Sequence, residues 1–118
     1  MPRPRKWRRV CCLPESERFG PLDGEQSQES VINMTVDEYE TIRLIDLEGL
    51  TQEECAARMS IARTTVQGIY NDARTKLAES LVFGRVLWIN GGQYRLCAGD
   101  EIPCCERSCH RSRGRRVE

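Results

Sequence analysis

The sequence predicts a mainly α domain: a trihelical core, a C-terminal β-hairpin and flexible basic tails at either end. Three observations predict it. Thr35 with Glu38, and Thr51 with Glu54, are Thr-x-x-Glu capping signals, each just ahead of a stretch with helical apolar spacing. Apolar residues recur at that spacing in three successive stretches between Val36 and Leu81. After Gly84 the pattern changes to two β-rich runs separated by Asn90-Gly91-Gly92. A chain of 118 residues holds one small domain with tails, and leaves no room for a catalytic barrel or a doubly wound sheet. We divide it into a basic arm and linker (1–30), a helical domain with its hairpin (31–97) and a Cys/Arg-rich tail (98–118).

Residues 1–34 hold four of the five prolines. Arg3 to Arg9 is expected as an extended basic arm and Asp23 to Ser30 as a flexible linker, with a short strand at Val10-Cys11-Cys12-Leu13 between them. The first helix is expected over 35–48, with Val36, Tyr39, Ile42, Leu44, Ile45 and Leu47 forming its apolar face and Gly49 ending it. The second runs over 51–59 with Cys55, Ala56 and Met59 inward. The third runs over 63–81 with Val66, Ile69, Tyr70, Ala73, Leu77 and Leu81 on one stripe. Val86 to Ile89 and Gln93 to Cys97 then read as the two arms of the hairpin.

No stretch approaches the roughly 18 apolar residues that a spanning helix needs. The N-terminus is basic with no apolar run behind it, so a secretory signal is not expected and the cytoplasm is the expected compartment. Charge is balanced overall, eighteen basic against eighteen acidic residues, but unevenly spread. Residues 1–10 carry five basic groups and no acid, residues 11–60 carry twelve acids against three arginines, and five more arginines lie between Arg107 and Arg116. Such asymmetry suits a protein that turns one face to a polyanion.

Gln52 to Asn71 has helix-turn-helix spacing, with Ala56 where two helices cross and Cys55, Met59, Ile61, Val66 and Ile69 inward. Two positions depart from the pattern: Ser60 stands where a turn favours glycine, and Ala62 stands where a capping side chain would help. The face opposite the apolar stripe shows Arg63, Thr64, Thr65, Gln67, Gly68, Asn71 and Arg74. Arg suits guanine, Gln and Asn suit adenine, and Thr suits a phosphate or a thymine methyl. With Arg3, Arg5, Lys6 and Arg8 on phosphates or in a minor groove, the expected partner is double-stranded DNA. An adaptor using an acidic surface of Glu38, Glu40, Asp46 and Glu48 to bind a protein such as RNA polymerase is the alternative. A homodimer is a further candidate state.

The order acidic helix, capped short helix, turn, reading helix resembles region 4 of sigma-70 factors. Met1-Pro2-Arg3-Pro4-Arg5-Lys6, Phe19-Gly20-Pro21, Met34 to Glu40, Arg43 to Asp46, and Gly91-Gly92 with Tyr94, Leu96 and Cys97 are similar to the small prokaryotic family filed as domain of unknown function 134, over residues 1–97. That resemblance implies a transcriptional regulator with a sigma-70 region 4-like helix-turn-helix. It implies neither a target site nor a ligand.

The seven cysteines suggest a second expectation. Cys97, Cys104, Cys105 and Cys109, beside the single histidine His110, offer soft ligands for zinc or an iron–sulfur cluster, and Cys11-Cys12 could complete the set. Such a site would make a metal- or redox-responsive regulator. Reduced cysteines without a ligand role are the alternative, and Cys55 is expected in the core. No phosphate loop or metalloprotease motif is present, and an enzyme is not expected.

Overall fold

The computed structural model describes residues 8–23 and 31–96. Short strands β1 (Arg8–Val10), β2 (Arg18–Phe19) and β3 (Ile32–Met34) precede helix α1 (Val36–Thr41). That helix continues without a break as a π-helical segment, Ile42–Leu47. Helices α2 (Gln52–Met59) and α3 (Arg63–Phe83) follow, then β4 (Leu87–Ile89) and β5 (Tyr94–Leu96). The protein is mainly helical, with small strands.

Both capping boxes form. Thr35 accepts from the Glu38 amide at 3.4 Å while Glu38 accepts from the Thr35 amide at 2.9 Å. Thr51 and Glu54 repeat the exchange at 3.1 and 2.9 Å. Each box satisfies two amides that a helix start would otherwise leave open.

The first helix departs from the regular α-helix expected over 35–48. In its second half the Glu48 amide reaches the Arg43 carbonyl, five residues back, at 2.9 Å. A wider turn advances each residue less around the axis, so residues five apart stack. Glu48 is thereby brought to Arg43, and Leu47, expected inward, is 61% exposed.

The expected C-terminal hairpin does not form. β4 and β5 follow each other but do not pair. β4 lies at the centre of a three-stranded sheet, antiparallel to β2 (Phe19 opposite Leu87) and parallel to β3 (Met34 opposite Ile89). β5 pairs in parallel with β1, Val10 opposite Leu96. Parallel partners need a long crossover, and here the helices between β3 and β4 supply it. The same pairing ties strands ahead of the division at residue 30 to strands after it. Arg8–Val10 and Arg18–Phe19 are paired strands of the fold, and the expected strand at 10–13 is displaced to Arg8–Val10. The linker expected at 23–30 lies, after Asp23, outside the described residues.

Two clusters make the core, and α3 is common to both. Leu44, Cys55, Ala56, Met59 and Val66 form one. Val10, Met34, Val36, Ala73, Leu87 and Ile89 form the other. Burial pushes the Cys55 thiol up to about 12, with the nearby Glu40 charge adding to it, so Cys55 is a neutral core residue. Leu81, expected on the inward stripe, is 83% exposed, because α3 runs on past the core to Phe83.

Between α2 and α3 the chain turns through Ser60, held left-handed at φ 62° and ψ 43°. The Ser60 amide donates to the Ala57 carbonyl and the Ile61 amide to the Ala56 carbonyl, which closes the helix end by the paired bonds of a Schellman turn. A left-handed serine is strained, and glycine removes that strain while losing more chain entropy on folding. Ser60→Gly is therefore expected to stabilise the fold by about 0.5–1 kcal/mol. An unchanged or lower urea midpoint would show that the turn is not strained as argued.

Candidate nucleic-acid interface

Helix α3 is roughly 32 Å long at 1.5 Å per residue. Its first half has a buried side and an open side. Val66 and Ala73 are fully buried, and Tyr70 nearly so. On the open side Arg63, Thr64, Gln67, Gly68, Asn71 and Arg74 are all exposed, and Thr65 at the margin is half-buried. The fold thus brings together six of the seven α3 residues singled out in the sequence. A Cβ added at Gly68 would meet nothing within 4 Å, so the glycine leaves the helix backbone itself open to approach.

Several contacts set how α3 is held. The Tyr70 hydroxyl donates to Asp46 at 2.9 Å, and Lys76 reaches Glu38 at 2.7 Å, both tying α3 to the first helix. Arg63 donates to Gln52 at 3.4 Å, bridging α3 to the start of α2. Arg74 lies over the Tyr70 ring at 5.4 Å, which pre-sets its guanidinium direction. The Tyr70–Asp46 and Lys76–Glu38 contacts are not legible in the sequence. They join residues 24 and 38 positions apart, and no local pattern marks such partners.

The expected acidic surface is largely turned inward. Glu38 and Glu40 are buried, and the Glu48 side chain is 7% exposed. Glu40 holds Arg43 bidentately at 2.6 and 2.9 Å and accepts from the Cys11 amide at 3.2 Å, and Arg43 also reaches Glu48 at 3.6 Å. Of the four acids expected to form that surface, Asp46 alone is exposed, and it accepts from Tyr70.

Arg8 belongs to a paired strand. It sits half-buried in β1, paired with Asp37 at 3.4 Å and bonded to Gln93, so it is a structural group and not part of a free arm. Arg3, Arg5 and Lys6 lie outside the described residues. So do Cys97, Cys104, Cys105 and Cys109. Cys11 is buried with its sulfur 3.7 Å from that of Cys12. Among the described residues, no group of three or more His, Cys, Asp or Glu side chains is placed to hold a metal ion. No described helix is long and apolar enough to cross a membrane.

The model of the protein family of unknown function DUF134 matches residues 1–97. The chain belongs to that family. Among its relatives, a UPF0251 protein of Desulfitobacterium hafniense is 66% identical over 115 residues, covering 98% of this chain and 91% of the relative. One from Caldicellulosiruptor bescii is 41% identical, covering 98% and 93%. One from Thermoanaerobacter pseudethanolicus is 45% identical, covering 86% of each. No solved structure matches the chain.

Proposed function

We propose that this DUF134 protein is a non-enzymatic, cytoplasmic DNA-binding transcriptional regulator. In this reading α2 and α3 act as a sigma-70 region 4-like helix-turn-helix, with the N-terminal half of α3 in the major groove. The observation that carries it is the open face of α3: Arg63, Gln67, Asn71 and Arg74, whose side chains suit base edges and phosphates, grouped around a glycine with clear space above it. Docked there, Gln67 and Asn71 read bases, while Arg63, Thr64 and Arg74 fix the register on phosphates. The adaptor alternative is weakened because Glu38, Glu40 and Glu48 are spent inside the fold.

Selection from randomised duplexes tests the reading. One recurrent sequence is the expected result, and its absence would defeat sequence-specific binding. On the selected site, Gln67→Ala or Asn71→Ala is expected to cost about 1–3 kcal/mol and to relax preference at one position. Arg5→Ala is expected to weaken all sequences alike and lower the salt slope. Gly68→Ala separates folding from binding. It should raise stability by about 1 kcal/mol, because alanine suits a helix interior better, yet weaken DNA binding by closing the backbone approach. A variant that is more stable and binds equally well would remove Gly68 from the interface.

A further inference from the structure

Helix α3 ends in three successive exposed apolar residues. Leu81, Val82 and Phe83 are 83%, 73% and 63% exposed, and successive helical residues point about 100° apart, so no single surface of this chain can cover them all. Beside them lies a cavity of about 510 Å³, lined by the buried Met34, Leu87 and Ile89, the half-buried Leu77, and the exposed Phe19 and Leu81. Phe19 also lines a second groove with Leu22, which is 98% exposed. Together Phe19, Leu22, Leu81, Val82 and Phe83 expose on the order of 600 Å², at the upper end for a monomer and near the area one partner contributes to a standard interface.

We infer that this end of α3 is the docking face for a second copy of the chain. Protruding apolar side chains and an apolar cavity lie side by side. A two-fold arrangement can therefore seat the Phe83 side of each copy in the cavity of the other. The flanking charges fit the same arrangement. Glu79 in α3 and Arg85 just past its Gly84 cap flank the apolar residues with opposite charge, so a two-fold contact can set Glu79 of one copy against Arg85 of the other. The segments outside the described residues offer few apolar side chains: Met1 and Trp7 in 1–7, none in 24–30, and Ala98, Ile102 and Val117 beside the cysteines in 97–118. This inference stands without the DNA reading. If both hold, each dimer carries two α3 reading faces, suited to paired half-sites.

The test is the solution mass of the full chain under reducing conditions, which keeps cysteine cross-links from imitating the contact. Twice 13.6 kDa is expected in the micromolar range. Val82→Asp is expected to raise the dissociation constant by about 30-fold or more with an unchanged circular dichroism spectrum, because Val82 is 73% exposed in the single chain. Glu79→Arg should also weaken the dimer, and adding Arg85→Glu should restore it. A wild-type mass of 13.6 kDa throughout that range would overturn the inference, as would a Val82→Asp variant that stays dimeric. A monomer that takes an apolar fluorescent dye into the cavity would overturn it too, assigning the cavity to a small apolar ligand instead.

Discussion

Arg43→Met is expected to destabilise the protein by about 3–5 kcal/mol, the cost of breaking a buried ion pair and leaving its partner behind. Glu40 is 2% exposed, and its two oxygens face the Arg43 guanidinium and the Cys11 amide. With methionine at 43, a buried carboxylate keeps one backbone donor and loses its counter-charge, and Glu48 loses its contact with Arg43 as well. Methionine fills much of the space, so the loss reports charge and not a cavity. Urea unfolding followed by circular dichroism measures it. The double variant Arg43→Met with Glu40→Gln is expected to recover part of the loss, because the amide removes the unpaired charge and still accepts from Cys11. A single variant costing less than about 1 kcal/mol would show that the pair is exposed to solvent and worth only what surface pairs are.

Gly92→Ala is expected to cost about 2–4 kcal/mol, combining backbone strain with overpacking. Gly92 sits at φ +105°, where an L side chain is strained. Its added Cβ would press on the Asp37 carboxylate and fall within 2.8 Å of Thr35 Cβ. Neither neighbour is free to yield. Thr35 caps α1, Asp37 pairs with Arg8, and the Val36 amide donates to the Gly91 carbonyl at 2.9 Å. Gly91→Ala is the matched control. Gly91 also has positive φ, at +77°, but nothing lies within 4 Å of its Cβ position, so only the conformational cost of about 1 kcal/mol is expected. Equal losses at the two positions would show that the close approach to α1 is not what demands glycine at 92.

The sequence was readable where the cause was local. A threonine three residues before a glutamate makes a capping box whatever the rest of the chain does, and both helix starts fell where that signal placed them. The polar side of α3 was readable for a related reason. Helical spacing alone separates Val66 and Ala73 from Gln67 and Asn71, and burial followed that division. The turn itself was readable from the helix-turn-helix spacing, although Ser60 is not the residue that a left-handed position favours.

Residues whose partners are far away in sequence were not readable in that way. Glu38, Glu40 and Glu48 looked like solvated acids, since nothing near them announces that Lys76 will come to Glu38 or the Cys11 amide to Glu40. The π-helical turn that carries Leu47 outward and Glu48 to Arg43 has no local signature either. The hairpin failed for the same reason. Asn90-Gly91-Gly92 is a valid turn signal, but it reports only that the chain bends.

Composition and short-range spacing, then, determined the mainly α class, the capped starts of α1 and α2, and the residues open to solvent on the first half of α3. Tertiary structure alone decided the partners of each strand, the burial of the acids and the exposed apolar end of α3. Hydrogen bonding within a helix joins residues four apart and is settled by neighbours. A strand must find its partners elsewhere in the chain. β4 lies beside β3 because its buried Leu87 and Ile89 belong to the same cluster as Met34 and Ala73, a core that exists only once α3 has folded over it.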